Sequence, residues 1–169
     1  AVVPKTAPQS KLKKTIDLGA EVYQYGTTFD EAANHAQQLA IEKGWRLLHP
    51  FDDPLVIAGQ GTIGIELLPE KPDAVLVPIG GGGLASGIAL ALASTNCKVI
   101  GVQIKGVDAM NQTLNGKRNG FFYPQKTIAD GICVAKVGKY TQQLCQRYLD
   151  DIILVSETEV IETMQSLAE

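Results

Sequence analysis

Clusters of basic residues, paired cysteines and long apolar runs are all scarce in this 169-residue chain, and each scarcity excludes a class of function. The net charge is -3, and Lys13-Lys14 is too short to form a basic patch, so nothing electrostatic points to nucleic acid. The longest apolar stretches, such as residues 74–79, have the length of a strand and are too short to span a bilayer. No signal peptide is visible at the start. The three cysteines, Cys97, Cys133 and Cys145, are odd in number and lack CxxC spacing, which argues against a disulfide framework and a structural zinc site. A reducing cytoplasm is the plain expectation. There is no internal repeat and no low-complexity tract. The first residue is Ala, and Ala1-Val2-Val3-Pro4 reads as the end of a strand, so the chain is expected to begin inside a fold.

What is present suits a packed core: 45% of residues are hydrophobic and 20% charged. A turn over residues 4–10 leads into a helix over 11–18 that stops at Gly19. Residues 20–25 alternate and predict a strand ending at Gly26. Thr28 or Asp30 is placed to cap a helix from 29 to about 42, with Gly44 beyond its end. Residues 45–48 predict a short strand, and 56–68 a helix whose Gly59, Gly61 and Gly64 imply close approach of another element. A strand over 74–79, a helix over 84–94, a strand over 98–103 and a short helix over 108–115 follow. Residues 116–125 read as a loop. A helix over 140–149, a strand over 152–155 and a capping box at Ser156-x-x-Glu159 complete the pattern. Strands alternating with helices imply an α/β fold with a mainly parallel sheet and helices on its faces.

The chemistry is concentrated where strand 74–79 runs into Gly80-Gly81-Gly82-Gly83 and then into Leu84-Ala85-Ser86-Gly87. Strand, glycine loop and helix start together suit an anion, because N–H groups without Cβ atoms between them can converge on it at the helix N-terminus. The alternative is a tight turn with close helix packing, but four successive glycines lose much chain entropy for a mere connection. Residues 80–85 fit G-x-G-x-x-A loosely, which makes a dinucleotide the competing ligand. That reading needs an acid at the end of the next strand to hold the ribose, and Gln103 stands there. No P-loop pattern occurs. A compact phosphate monoester suits the loop better.

The stretch Val77-Pro78-Ile79-Gly80-Gly81-Gly82-Gly83-Leu84, with Ser86-Gly87-Ile88-Ala89, resembles the phosphate loop of fold-type II pyridoxal-phosphate enzymes of the threonine dehydratase and serine racemase branch. The resemblance runs along nearly the whole chain. It includes Val3-Pro4-Lys5-Thr6-Ala7-Pro8, Gly19-Ala20-Glu21-Val22, Thr127-Ile128-Ala129-Asp130-Gly131 and Asp150-Asp151-Ile152. Its most specific part is His49-Pro50-Phe51-Asp52-Asp53-Pro54 with Val56-Ile57-Ala58-Gly59-Gln60-Gly61-Thr62-Ile63-Gly64. Ile100-Gly101-Val102-Gln103 looks most like the biodegradative (catabolic) threonine dehydratases.

The resemblance implies a partial fold-type II (tryptophan synthase β-like) arrangement, with residues 1–47 in the smaller domain and 48–169 in the larger, pyridoxal-phosphate-binding one. It implies that the backbone amides of Gly80, Gly81, Gly82, Gly83 and Leu84 hold the cofactor phosphate. It puts Phe51 beside the cofactor ring and Gly131 near its reactive edge. The implied reaction is β-elimination, converting L-threonine or L-serine to a 2-oxo acid and ammonia, in an enzyme that is commonly a homo-oligomer. The Schiff-base lysine of such enzymes belongs to a Ser-Phe-Lys-type motif, which is expected upstream of residue 1. No lysine here stands in that context. Lys5 follows a turn proline, and Lys11, Lys13 and Lys14 fall on a surface helix. Asn34-His35-Ala36-Gln37 spells part of another family loop but lies inside an amphipathic helix, so His35 is expected on a helix surface; His49 is expected in a core, with a place beside a pocket as the alternative. The carboxylates that hold a divalent metal in serine racemase relatives would fall at Gln103 and near Ala109, so no metal site is expected. Asp52 and Asp53 are expected to cap the helix that begins near Pro54. A truncated product that binds an anion without catalysis, a serine racemase-like enzyme and a nucleotide-binding domain are the rival readings.

Overall fold

A computed structural model describes residues 1–117 and 126–168. The chain divides into two compact units, Ala1–Leu48 and His49–Glu169. In the first, strand β1 (Val2–Val3) pairs in parallel with β2 (Tyr23–Gln24), and the helices are α1 (Gln9–Asp17) and α2 (Phe29–Lys43). The strand expected over 20–25 is thus only two residues long. Thr28 caps α2 in a full capping box with Glu31, and Gly44 closes its far end in the left-handed conformation. His35 is half-buried rather than a simple surface residue, because its ring stacks on Tyr25 with centroids 3.9 Å apart. The strand expected over 45–48 does not form. Trp45, Leu47 and Leu48 are exposed there, and no described strand lies alongside to satisfy their backbone.

The second unit is built on three parallel strands in the order β3 (Ala74–Pro78), β4 (Lys98–Ile104) and β5 (Asp151–Val155). Helices α3 (Pro54–Leu67), α4 (Gly83–Leu92), α5 (Ala109–Leu114), α6 (Lys139–Tyr148) and α7 (Glu157–Ala168) connect or follow them. The loop expected over 116–125 falls mostly outside the described residues. Val77 and Val99 of the sheet and Ile79 just beyond β3 pack with Ala85, Ile88, Ala89 and Leu92 of α4 and Cys145 of α6 in one buried cluster. Alternation along the strands turns Leu76 and Ile153 to the opposite face, where they are 64% and 43% exposed.

The glycines expected to allow close approach do so at two positions of three. A Cβ on Gly64 would sit 2.8 Å from Ala91 Cβ, and one on Gly61 would meet the Gly87 carbonyl at 3.1 Å, whereas Gly59 has open space. The partner position is Gly87 of α4, whose added Cβ would collide with the Ile57 carbonyl and lie 2.6 Å from the Gly61 nitrogen. Helices α3 and α4 therefore touch backbone to backbone, and this fixes where α4 begins.

Two outcomes follow from these contacts. Gly87→Ala forces the helices apart and lowers the stability of the second unit by about 1–3 kcal/mol, read as a shift in urea unfolding. At the α7 start, Ser156 donates both N–H and O–H to Glu159 at 2.7 Å, and these bonds hold the Glu159 carboxyl below its ordinary range. Its folded value is lowered, so the contribution to stability is present at neutral pH and is lost as pH falls through that value. Amide hydrogen exchange in the first turn of α7 therefore accelerates in acid, and Glu159→Gln removes the pH dependence.

Candidate functional site

The glycine loop leaves the C-terminal end of β3 and becomes the first turn of α4, with Gly82 at the N-cap position and a φ of +97°. That left-handed backbone favours glycine on steric grounds alone. The first hydrogen bond of the new helix runs from the Ser86 N–H to the Gly82 carbonyl at 2.9 Å. The N–H groups of residues 80–85 find no acceptor among the described residues, as the first N–H groups of a helix do unless something caps them.

Phe51 lies on this loop. A Cβ on Gly81 would be 2.5 Å from the Phe51 ring, and one on Gly83 would be 2.9 Å from Phe51 Cβ. On another side the 3-10 turn Asp130–Ile132 reaches Gly80, with the Ile132 Cα 3.1 Å from a Cβ built there. The structure thus gathers Phe51, residues 80–84 and the turn carrying Gly131 into one neighbourhood. A Cβ on Gly131 itself would meet nothing within 4 Å, and its φ is not positive, so packing among the described residues does not demand a glycine there.

His49 and Asp52 shape the segment that delivers Phe51. His49 is half-buried, not a core histidine: its Nδ1 accepts the N–H groups of Phe51 at 3.3 Å and Asp52 at 2.9 Å, and its ring meets Phe51 edge-on at 4.6 Å. Asp53 caps α3 as expected, accepting from Leu55 N–H at 2.8 Å. Asp52 does not join it. Its carboxylate accepts from the N–H groups of Lys139 and Tyr140, both at 2.8 Å, and of Thr141 at 3.1 Å, so it caps α6 instead. Asp53 already takes the first N–H groups of α3, and the start of α6 lies within reach of Asp52.

Sequence reasoning missed Thr141. Its hydroxyl donates to the Gly81 carbonyl at 2.7 Å and is fully buried, but 60 positions separate the two residues and no local signal joins them. Gln103, noted in the sequence only for not being acidic, is 1% exposed and fully engaged. It donates to the carbonyls of Ile79 at 3.0 Å and Val107 at 3.5 Å, and accepts from Asn111 N–H at 2.9 Å. Beneath α4, Ser86 Oγ bonds the Thr141 carbonyl at 3.3 Å and Cys145 Sγ at 3.4 Å. Burial pushes the Cys145 thiol up to about 11, with the Ser86 hydroxyl partly opposing the shift.

The arrangement suits a small oxyanion: N–H groups at a helix start with no acceptor among the described residues, on a loop with no side chains of its own to block approach. The model of one family, described as pyridoxal-phosphate dependent enzyme, matches residues 1–169. The chain belongs to this family. Its fold is fold-type II, and the family's cofactor is pyridoxal phosphate. The chain is 44% identical to an L-threonine ammonia-lyase of Thermotoga maritima over 99% of its own length and 43% of that protein's. It is 41% identical to the catabolic L-threonine dehydratase TdcB of Escherichia coli K12, over 98% of this chain and 52% of that protein. Among solved structures, maize serine racemase superimposes with a TM-score of 0.88 at 30% identity, covering 99% of this chain and 52% of that one. The processed threonine deaminase isoform 2 of Solanum lycopersicum gives 0.82 at 42% identity, over 90% and 46%. The chain thus spans about half the length of the relatives it matches. Among the described residues no helix is long and apolar enough to cross a membrane.

Because the thiol titrates so high, Cys145 resists iodoacetamide at pH 8 in the folded protein and reacts once urea unfolds it, which mass spectrometry of the alkylated peptide reads directly. Asp52→Asn replaces a charged cap with a neutral one and lowers stability by about 1 kcal/mol, measured by urea unfolding.

Proposed function

We propose that this chain is part of a threonine/serine ammonia-lyase in which residues 80–84 hold the phosphate of pyridoxal phosphate. The observation that carries the reading is the row of N–H groups on the glycine loop, set at the start of α4, that find no acceptor among the described residues. The names of the 41–44% identical relatives, L-threonine ammonia-lyase and L-threonine dehydratase, support the reaction class, which we take as conversion of L-threonine or L-serine to a 2-oxo acid and ammonia. Within this reading residues 1–47 contribute to the smaller domain and 48–169 to the larger one.

When bound, pyridoxal phosphate supplies an electron sink for charge that develops at a substrate carbon. This chain's own residues bind and orient. The amides of Gly80, Gly81, Gly82, Gly83 and Leu84 take the phosphate oxygens, where the helix dipole adds to the attraction. Phe51 shields the loop from water on one side. Gly131 leaves room at the edge of the site that a side chain would fill, which accounts for a glycine that packing alone does not require.

Every lysine of the chain is exposed to solvent, and none stands in a Ser-Phe-Lys motif. This supports the reading that the lysine bearing the cofactor is not among these residues, and that the chain alone binds the anion without turning substrate over. Serine racemase-like chemistry is the second reading, favoured by the close superposition on the maize enzyme.

Phosphate titrated into the labelled chain is expected to move the amide resonances of residues 80–84, and pyridoxal phosphate followed by borohydride to leave no single lysine specifically labelled. Specific fixation on one lysine overturns the assignment of that role elsewhere. Gly131→Ala is expected to leave urea unfolding unchanged and to weaken pyridoxal phosphate binding while inorganic phosphate binds as before. Equal weakening of both ligands removes Gly131 from the cofactor's edge.

A further inference from the structure

The N–H groups of a glycine loop face a ligand only if something fixes the peptide planes, because glycine itself permits several orientations at little energetic difference. Two buried side chains fix them here. Gln103 Nε2 holds the Ile79 carbonyl at 3.0 Å from beneath the sheet end, and Thr141 Oγ1 holds the Gly81 carbonyl at 2.7 Å from the start of α6. Among the described residues no peptide bond is cis. In a trans peptide the N–H points opposite to the C=O. Holding the Ile79 carbonyl therefore turns the Gly80 N–H away from Gln103, and holding the Gly81 carbonyl turns the Gly82 N–H away from Thr141.

We propose that Thr141 and Gln103 are positioning residues that preset the glycine loop for its anion, by anchoring alternate carbonyls so that the Gly80 and Gly82 N–H groups are aimed before any ligand arrives. The proposal rests on the phosphate reading of this loop and deepens it. Thr141 is suited to the role because it is itself held from three directions. Its N–H is capped by Asp52 at 3.1 Å, its carbonyl accepts from Ser86 at 3.3 Å, and it lies against Gly82, whose added Cβ would be 2.9 Å from Thr141 Cβ. Gln103 is similarly fixed, since Asn111 N–H donates to its oxygen at 2.9 Å and so sets which end of the amide faces Ile79. Neither side chain is exposed, so each acts through the loop's backbone. An anchored loop loses less freedom when it binds, and affinity rises accordingly.

The test uses the full chain with inorganic phosphate as the probe, followed by amide resonances. Wild-type protein is expected to show Gly80 and Gly82 amides moving on titration. Thr141→Val keeps the shape and loses the hydroxyl, and it is expected to bind phosphate roughly five- to tenfold more weakly, with Thr141→Ser restoring wild-type affinity. If Thr141→Val does not fold, Thr141→Ala and Gln103→Met carry the same expectation. A purely structural role would lower the urea midpoint of these variants and leave the phosphate affinity of the folded fraction unchanged, which overturns the proposal. So does a wild-type titration in which neighbouring loop amides move but those of Gly80 and Gly82 do not. Absence of any phosphate response in the wild-type loop overturns the phosphate reading itself, and the proposal with it.

Discussion

The second unit depends on one carboxylate, that of Asp52, which joins the segment after His49 to the start of α6. Three successive N–H groups that would otherwise point at nothing converge on its two oxygens. A charged acceptor at a helix N-terminus is favoured both by hydrogen bonding and by the dipole. The consequence extends in two directions. On one side it holds Phe51 against the glycine loop, and on the other it holds Thr141 under the Gly81 carbonyl. Elements almost 90 positions apart in sequence are thereby joined around one turn of backbone.

The α3–α4 contact supplies the second constraint. Gly61, Gly64 and Gly87 let the helices meet at their backbones, so the start of α4 is located by hard contact rather than by interdigitating side chains. Backbone contact tolerates little adjustment, whereas side chains can change rotamer. The loop is therefore bounded by stiff neighbours: a strand before it, a closely packed helix after it, and the Asp52-capped helix beside it.

Much of this was legible in the residues because it is local. The cap at Thr28, one of two candidates there, the Ser156 capping box, the Asp53 cap, and the strand–glycines–helix order all depend on neighbours within a few positions, where side-chain chemistry dictates the outcome. The failures are non-local. Residues 45–48 have strand-like composition but no described partner strand, and composition alone cannot supply one. Asp52 resembles its neighbour Asp53 in every local respect, and only the fold assigns it to a different helix. Thr141 is an ordinary hydroxyl inside an amphipathic helix until the turn of residues 80–83 is brought beneath it. Gln103 could be read as lacking a charge but not as bridging the turn of residues 107–111 to the Ile79 carbonyl, 24 positions away.

The order of strands also bears on the loop. Among the described residues β3 is flanked on one side only, by β4, while β4 is bonded on both. A strand bonded on one side opens more readily than one bonded on both, so among the described residues the segment that carries the glycines continues the less protected kind of strand. On the proposed phosphate reading, a ligand that binds residues 80–84 only in their folded arrangement lowers the population in which this end of β3 is open, and so acts as a clasp for it.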